Sequence, residues 1–180
     1  MSKKVLIIST SLRPNANSEI LAHETDRGAR DAGHEVEFVT LKDKQIGFCK
    51  GCLACQKLGH CVINDDANEI TAKMKEADVI VWATPVYYYE MSGQMKTLID
   101  RANSLFATGK NFTETYVITT SADSSKGVVQ TVLNGVKGWI ACFGNLELKG
   151  YLEAGGLEGM NEAHERKDLL EQAYNMGKNI

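Results

Sequence analysis

Proline appears only twice in this 180-residue chain, and no stretch is dominated by a few residue types. A stiff proline-rich spacer or a low-complexity linker between domains is therefore excluded. No motif recurs at the periods of solenoid repeats. The chain also lacks the run of about 20 apolar residues that a membrane-spanning helix needs. The apolar stretch at 5–8 follows Lys3 and Lys4 but is too short for the core of a secretory leader, so a cytoplasmic location is expected. An excess of one charge is missing as well: 20 basic and 23 acidic residues are mixed along the sequence, for a net charge of -3. No basic face invites nucleic acid or an anionic membrane, and the expected partners are small molecules or other proteins.

What is present suffices for one sizeable core, since 43% of the residues are hydrophobic, and a single domain over residues 1–180 is expected. Three unbroken apolar runs, at 5–8, 79–83 and 116–118, are short and rich in β-branched residues. Such runs mark strands buried on both faces, as in a parallel sheet. Residues 36–41 give a weaker fourth strand, and 146–152 alternates as an edge strand does. Helical spacing follows Asn17, with Ile20, Leu21, Thr25 and Ala29, and stops at Gly33. Asp66 and Glu69 resemble a capping pair ahead of Ile70, Met74 and Ala77. Ser92 opens a helix carrying Met95, Leu98, Ile99 and Ala102, and further helices are expected at about 128–140 and 161–176. About five strands alternating with five helices predict an α/β fold: a doubly wound, five-stranded parallel sheet in a three-layer α/β/α sandwich. Ligands of such sheets sit outside the carboxyl ends of the strands, which directs attention to the loops after Ile8, Ala83 and Thr119.

The first of these loops has no G-x-G-x-x-G for a dinucleotide and no G-x-x-x-x-G-K-[ST] for a nucleoside triphosphate. Instead Ser9, Ser11, Arg13, Asn17 and Ser18 bring hydroxyls, an amide and a guanidinium to the start of a helix. Unpaired N–H groups at a helix N-terminus, together with its dipole, suit a phosphate, and Arg13 would add a charge-assisted bond. A mononucleotide fits better than either larger ligand; a plain turn with an N-cap is the simpler alternative. In the next loop, Thr84, Pro85, Val86, Tyr87, Tyr88 and Tyr89 offer flat side chains at a strand end. They suit a planar, polarisable ring, or alternatively cap the core or an oligomer interface.

These two loops resemble the flavodoxin-like NAD(P)H-dependent FMN reductase family. Its motif S-x-R-x-x-x-N-S/T, which holds the FMN phosphate, is matched by Ser11, Arg13, Asn17 and Ser18. Its motif T-P-x-Y-x-x-x-x-S-G-x-x-K-x-x-x-D-R, which lies along the isoalloxazine, is matched by Thr84, Pro85, Tyr87, Ser92, Gly93, Lys96, Asp100 and Arg101. The resemblance covers about residues 3–101. It implies flavin contacts from Ser121, Ala122 and Asp123 after the fourth strand, and a homodimer or homotetramer in which one subunit borders the other's flavin. It also implies the activity: electrons pass from NADH or NADPH through FMN to a small acceptor such as a quinone or flavin. No side chain is needed as catalytic acid or base, because the cofactor supplies the hydride chemistry.

The remaining feature is Cys49-x2-Cys52-x2-Cys55-x5-Cys61, in an insertion at about 47–64. An odd total of five cysteines, four of them clustered, argues against a disulfide framework. Four thiols on so short a loop can converge on a compact cluster; zinc and free or redox-reactive thiols are the alternatives. The spacing is similar to that of the iron-sulfur flavoproteins, a branch of the same family, which implies a [4Fe-4S] cluster exchanging electrons with the flavin. Cys142 is expected to be an inert core residue, and His23, His34, His60 and His164 to lie at the surface. Rival readings fare less well. A receiver-type signalling module needs acidic residues after the first strand, and a low-molecular-weight phosphatase needs a cysteine there. A non-enzymatic FMN/Fe-S electron carrier between protein partners shares every feature above except the nicotinamide donor.

Overall fold

The structure, a computed structural model, describes residues 1–125 and 127–180. Along the first half of the chain run β1 (Lys4–Ser9), α1 (Asn17–Asp31), β2 (Glu35–Thr40), α2 (Cys55–Leu58), α3 (Asp66–Glu76), β3 (Val79–Tyr87) and β4 (Glu90–Met91). The second half adds α4 (Gly93–Arg101), α5 (Ser104–Thr108), β5 (Glu114–Ser121), α6 (Gln130–Ile140), β6 (Glu147–Gly155), a 3-10 turn at Glu162–Glu165, and α7 (Lys167–Lys178). Five strands are parallel, in the order β2-β1-β3-β5-β6, and the short β4 folds back antiparallel on the end of β3.

The unbroken apolar runs make physical sense in this sheet. Successive side chains of a strand point to opposite faces, and both faces are covered here. Val5, Ile7, Val79, Val81 and Ile118 pack under α1 and α7, whereas Leu6, Ile8, Ile80, Trp82 and Val117 pack under α3, α4 and α6. A polar residue in either set would be stranded, so alternation disappears from β1, β3 and β5. It returns in β6, an edge strand in which Glu147, Lys149 and Tyr151 are exposed and Leu152 and Ala154 are the buried pair.

Several local signals read differently in three dimensions. The cap of α3 is Asp65, whose side chain accepts from the Ala67 N–H, one residue before the expected Asp66. α6 begins at Gln130, because 128–129 form a turn, and the last helical stretch is split by Arg166 into a 3-10 turn and α7. The short α2, α5 and β4 were not expected: two to five residues are too few to display a period. Cys142 lies just beyond α6 and is exposed, which corrects the expectation of a core thiol. His34 is half-buried, accepting the Lys3 N–H on Nδ1, while His23, exposed, stacks on Phe38. Among the described residues no helix is long and apolar enough to cross a membrane.

α1 and α7 cross with their backbones in contact. A Cβ on Gly28 would stand 2.0 Å from the Tyr174 carbonyl oxygen, and one on Gly177 2.0 Å from that of Thr25. Such approach is open only to glycine. Gly177→Ala is expected to cost about 1–3 kcal/mol through overpacking. Gly138→Ala, in α6 with open space around it, should be neutral or stabilise by about 0.4–1 kcal/mol. Urea denaturation of the two variants checks the contrast, and equal effects would sink it.

Candidate functional site

The strand order reverses direction between β1 and β3, and a cavity of ≈ 200 Å³ opens there, outside the carboxyl ends of the strands. It is lined by Ser11, Arg13, Asn17 and Ser18 from the first loop and by Pro85, Val86 and Tyr87 from the end of β3. Thr120, Ser121 and Ala122 from the end of β5 complete three walls, and the residues 157–160 after β6 form a fourth that the sequence did not suggest. A glycine-rich stretch directly after a strand, Gly155-Gly156 and then Gly159, was the available signal.

Hydrogen bonds tie this fourth wall to the first loop. Arg13 Nη1 donates to the Glu158 carbonyl (3.2 Å), and Asn17 Nδ2 donates to that of Gly159 (2.7 Å). Asn17 Oδ1 accepts from the Ala163 N–H (3.0 Å), so both ends of its amide are committed. α1 has Ala16 at its N-cap and no side chain caps it, leaving first-turn N–H groups for an outside acceptor. Ser18 Oγ, buried in the cavity wall, has no hydrogen-bond partner.

Other sequence-selected residues build the frame. Ser9 Oγ donates to Glu19 (3.0 Å). Thr10 Oγ1 bonds the Ala83 carbonyl and Ser92 Oγ, both at 3.0 Å, while the Ser92 N–H donates to Thr84 Oγ1 at 3.0 Å. Ser92 Oγ in turn caps α4 by accepting from the Met95 N–H. β1, β3 and α4 are thereby locked together behind the cavity. Tyr88 and Tyr89 form the two-residue turn between β3 and β4, with φ of 49° and 64°. That geometry normally selects Asn-Gly, and bulky residues there store about 1–3 kcal/mol each. Tyr88 projects wholly into solvent. Tyr89 is held by Thr131 Oγ1, which donates to its carbonyl, and by its own hydroxyl donating to Asp123 Oδ2 at 3.4 Å. Ser125 above all, with Tyr89 adding, keeps the Asp123 carboxyl below its usual pKa.

The far end of the motif turns away from this cavity. Lys96 and Asp100 pair on the surface at 2.7 Å, and Arg101, its side chain fully buried, reaches the cysteine loop. Arg101 meets Asp65 through both Nη atoms, at 2.6 and 2.8 Å. Nη1 also donates to the Gly47 carbonyl and Nη2 to that of Ile63, at 2.7 and 3.1 Å. Asp65 raises the guanidinium's pKa and burial opposes it, with Cys61 adding to the upward shift. Burial alone would raise the Asp65 carboxyl, but Arg101 and the Gly47 and Ala67 N–H groups outweigh it, and the net shift is downward. Cys49, Cys52, Cys55 and Cys61 all line one small cavity, of ≈ 40 Å³, with Arg101 and Asn103 in its wall. The Gly51 N–H points to Cys49 Sγ and Asn103 Nδ2 to Cys55 Sγ, each at 3.5 Å. Among the described residues, no three His, Cys, Asp or Glu side chains already stand where they could hold a metal ion. The donor set thus suits a thiolate-bound group, but its sulfurs have not converged.

The iron-sulfur flavoprotein of Methanocaldococcus jannaschii is 44% identical over 102 residues, covering 57% of this chain and 53% of that protein. The iron-sulfur flavoprotein of Methanosarcina thermophila is 38% identical over 109 residues, covering 61% of this chain and 56% of that one. The chain thus matches about half the length of these curated relatives. In three dimensions, the NAD(P)H:quinone oxidoreductase of Methanothermobacter marburgensis superimposes with a TM-score of 0.77 over 99% of this chain and 96% of that one, at 16% identity. That likeness shows the flavodoxin-like fold. A family model described as NADPH-dependent FMN reductase matches residues 3–146, and the chain belongs to that family.

Proposed function

We propose that the chain is an FMN-dependent oxidoreductase that draws electrons from NAD(P)H and delivers them to a small acceptor such as a quinone or flavin, or to an iron-sulfur cluster on its cysteine loop. One observation carries the FMN assignment: an uncapped 15-residue helix and an unpartnered buried hydroxyl, Ser18 Oγ, face the same cavity at the strand-order reversal. An anion satisfies both at once. With ≈ 200 Å³, the cavity is smaller than the roughly 300–1,000 Å³ of a whole ligand pocket. It would therefore enclose the phosphate end and leave the rings along the open side formed by Pro85, Val86 and Tyr87.

In this reading Ser11, Arg13 and Ser18 bind the phosphate, and Asn17 sets the wall through its two committed bonds. The Thr10, Thr84 and Ser92 hydroxyls fix the spacing of the two loops, and Ser121 supplies a polar edge. Ser9, Tyr88 and Asp123 support from behind or from the rim. FMN when bound supplies hydride acceptance and one-electron release; the protein's part is to orient it and keep one face open. For the cysteine loop we read Cys49, Cys52, Cys55 and Cys61 as ligands of a [4Fe-4S] cluster. The four thiols sharing one cavity and the N–H donors at Cys49 and Cys55 support this, as does the likeness to iron-sulfur flavoproteins. Zinc would be satisfied by the same thiols but has no use for the electrons of the neighbouring site. We also read the protein as a cytoplasmic homodimer or homotetramer. A third cavity, of ≈ 950 Å³ between α4 and α6 and walled by Leu53, Phe106, Trp139 and Phe143, exposes the apolar surface that association covers.

Ser18→Ala should weaken FMN binding about tenfold or more, the loss of a hydrogen bond to a charged group at ~1.5–3 kcal/mol, without lowering the stability of the FMN-free protein. Fluorescence quenching and denaturation measure the two, and an unchanged affinity defeats the phosphate assignment. Protein purified without oxygen should be yellow or brown and oxidise NADH or NADPH against quinone or dye acceptors. A flavin-loaded protein with no such turnover would instead be a carrier between protein partners. Velocity sedimentation should find at least twice the 19.8 kDa of one chain; a monomer at micromolar concentration excludes the oligomer.

A further inference from the structure

The cysteine loop is fastened by one side chain. Arg101, the last residue of α4, donates to the Gly47 carbonyl on the loop's entry side and to Ile63 and Asp65 on its exit side. The two flanks are thereby held together beneath the four cysteines. Asp65 is itself saturated: besides the guanidinium it accepts the Gly47 N–H (2.9 Å) and, as the cap of α3, the Ala67 N–H (3.1 Å). Lysine could not replace this arrangement, because it has no planar fork to serve a carboxylate and two carbonyls at once.

One donor of Arg101 is left over. Its Nε is buried and has no hydrogen-bond partner, although buried N–H groups are nearly always paired. The guanidinium also lines the cysteine cavity, in the same wall as Cys61. We infer that Arg101 is the positioning residue of the cysteine loop: its Nη groups fix both flanks, and its spare Nε–H serves sulfur, that of Cys61 or of the cluster bound there. This rests on the cluster reading given above. Hydrogen bonds to sulfur and the surrounding charge set the potential of such a cluster. A reduced cluster carries one more negative charge, which a buried cation and a directed N–H stabilise, so removing them moves the potential down.

The test uses the full chain reconstituted without oxygen with ferrous iron and sulfide, as wild type, Arg101→Lys and Arg101→Gln, with the fold checked by circular dichroism. Arg101→Gln should retain cluster ~10-fold less tightly, the scale of losses for residues that orient metal ligands. Arg101→Lys should retain more, and its cluster should titrate at a more negative midpoint potential than wild type. Wild-type protein made with nitrogen-15 arginine should show a hyperfine coupling from that nitrogen to the reduced cluster in pulsed EPR. This measurement decides the matter even where a variant does not fold. Arg13, Arg27, Arg30 and Arg166 lie on or beside α1 and α7 and would not contribute. Variants that load fully at an unchanged potential, or an absent coupling, overturn the inference alone. A wild type that takes up neither iron nor sulfide overturns the cluster reading and this inference with it.

Discussion

The pocket depends on three buried hydroxyls that have no water to turn to. Thr10, Thr84 and Ser92 are each 0% exposed, and they satisfy one another and the Ala83 carbonyl. Each such bond adds only about 1 kcal/mol net, yet orphaning one partner costs roughly 1–3 kcal/mol. The arrangement is therefore held less by the strength of its bonds than by the penalty for losing any of them. Through it the end of β1, the end of β3 and the start of α4 keep fixed separations, and the loops that line the cavity inherit them.

Against that background of satisfied polar groups the exceptions carry information. Among the described residues four buried side-chain atoms lack a partner: Ser18 Oγ, Thr71 Oγ1, Trp82 Nε1 and Arg101 Nε. Two of the four face the candidate sites. Trp82 has an evident reason for its place, since its ring meets Trp139 edge-on at 5.7 Å within the core; nothing in the structure explains Thr71. Folding alone gives no cause to leave a serine and an arginine unpaired beside cavities, whereas ligand chemistry does.

The architecture was legible because burial on both faces leaves an unmistakable mark. Val5, Leu6, Ile7 and Ile8 are each at most 2% exposed, and a sequence without alternation announces as much. Gly33, at φ 88°, and Ser92, whose hydroxyl caps α4, were equally readable from chemistry confined to a few neighbouring positions. The first loop and the start of the second could be joined from motif spacing, and they do line one cavity. What stayed hidden depends on distance in sequence. The wall at 157–160 meets Arg13 and Asn17 across more than 140 positions. Arg101 belonged by spacing to a motif along the flavin, but it closes a helix of nine residues and so emerges at the opposite end from Ser92. Cys142 sits past the last turn of α6, where helical periodicity no longer governs exposure.

That last geometry limits how the protein can vary. Ser92 and Arg101 are coupled to different loops by one short α-helix, and each residue of a helix advances it by 1.5 Å and turns it by about 100°. A single insertion or deletion within α4 would leave its cap intact and swing the guanidinium roughly a quarter turn off the carbonyls and carboxylate it holds. The number of residues in that helix is thus as constrained as the chemistry at its two ends, although most of the side chains between them face only solvent or generic apolar neighbours.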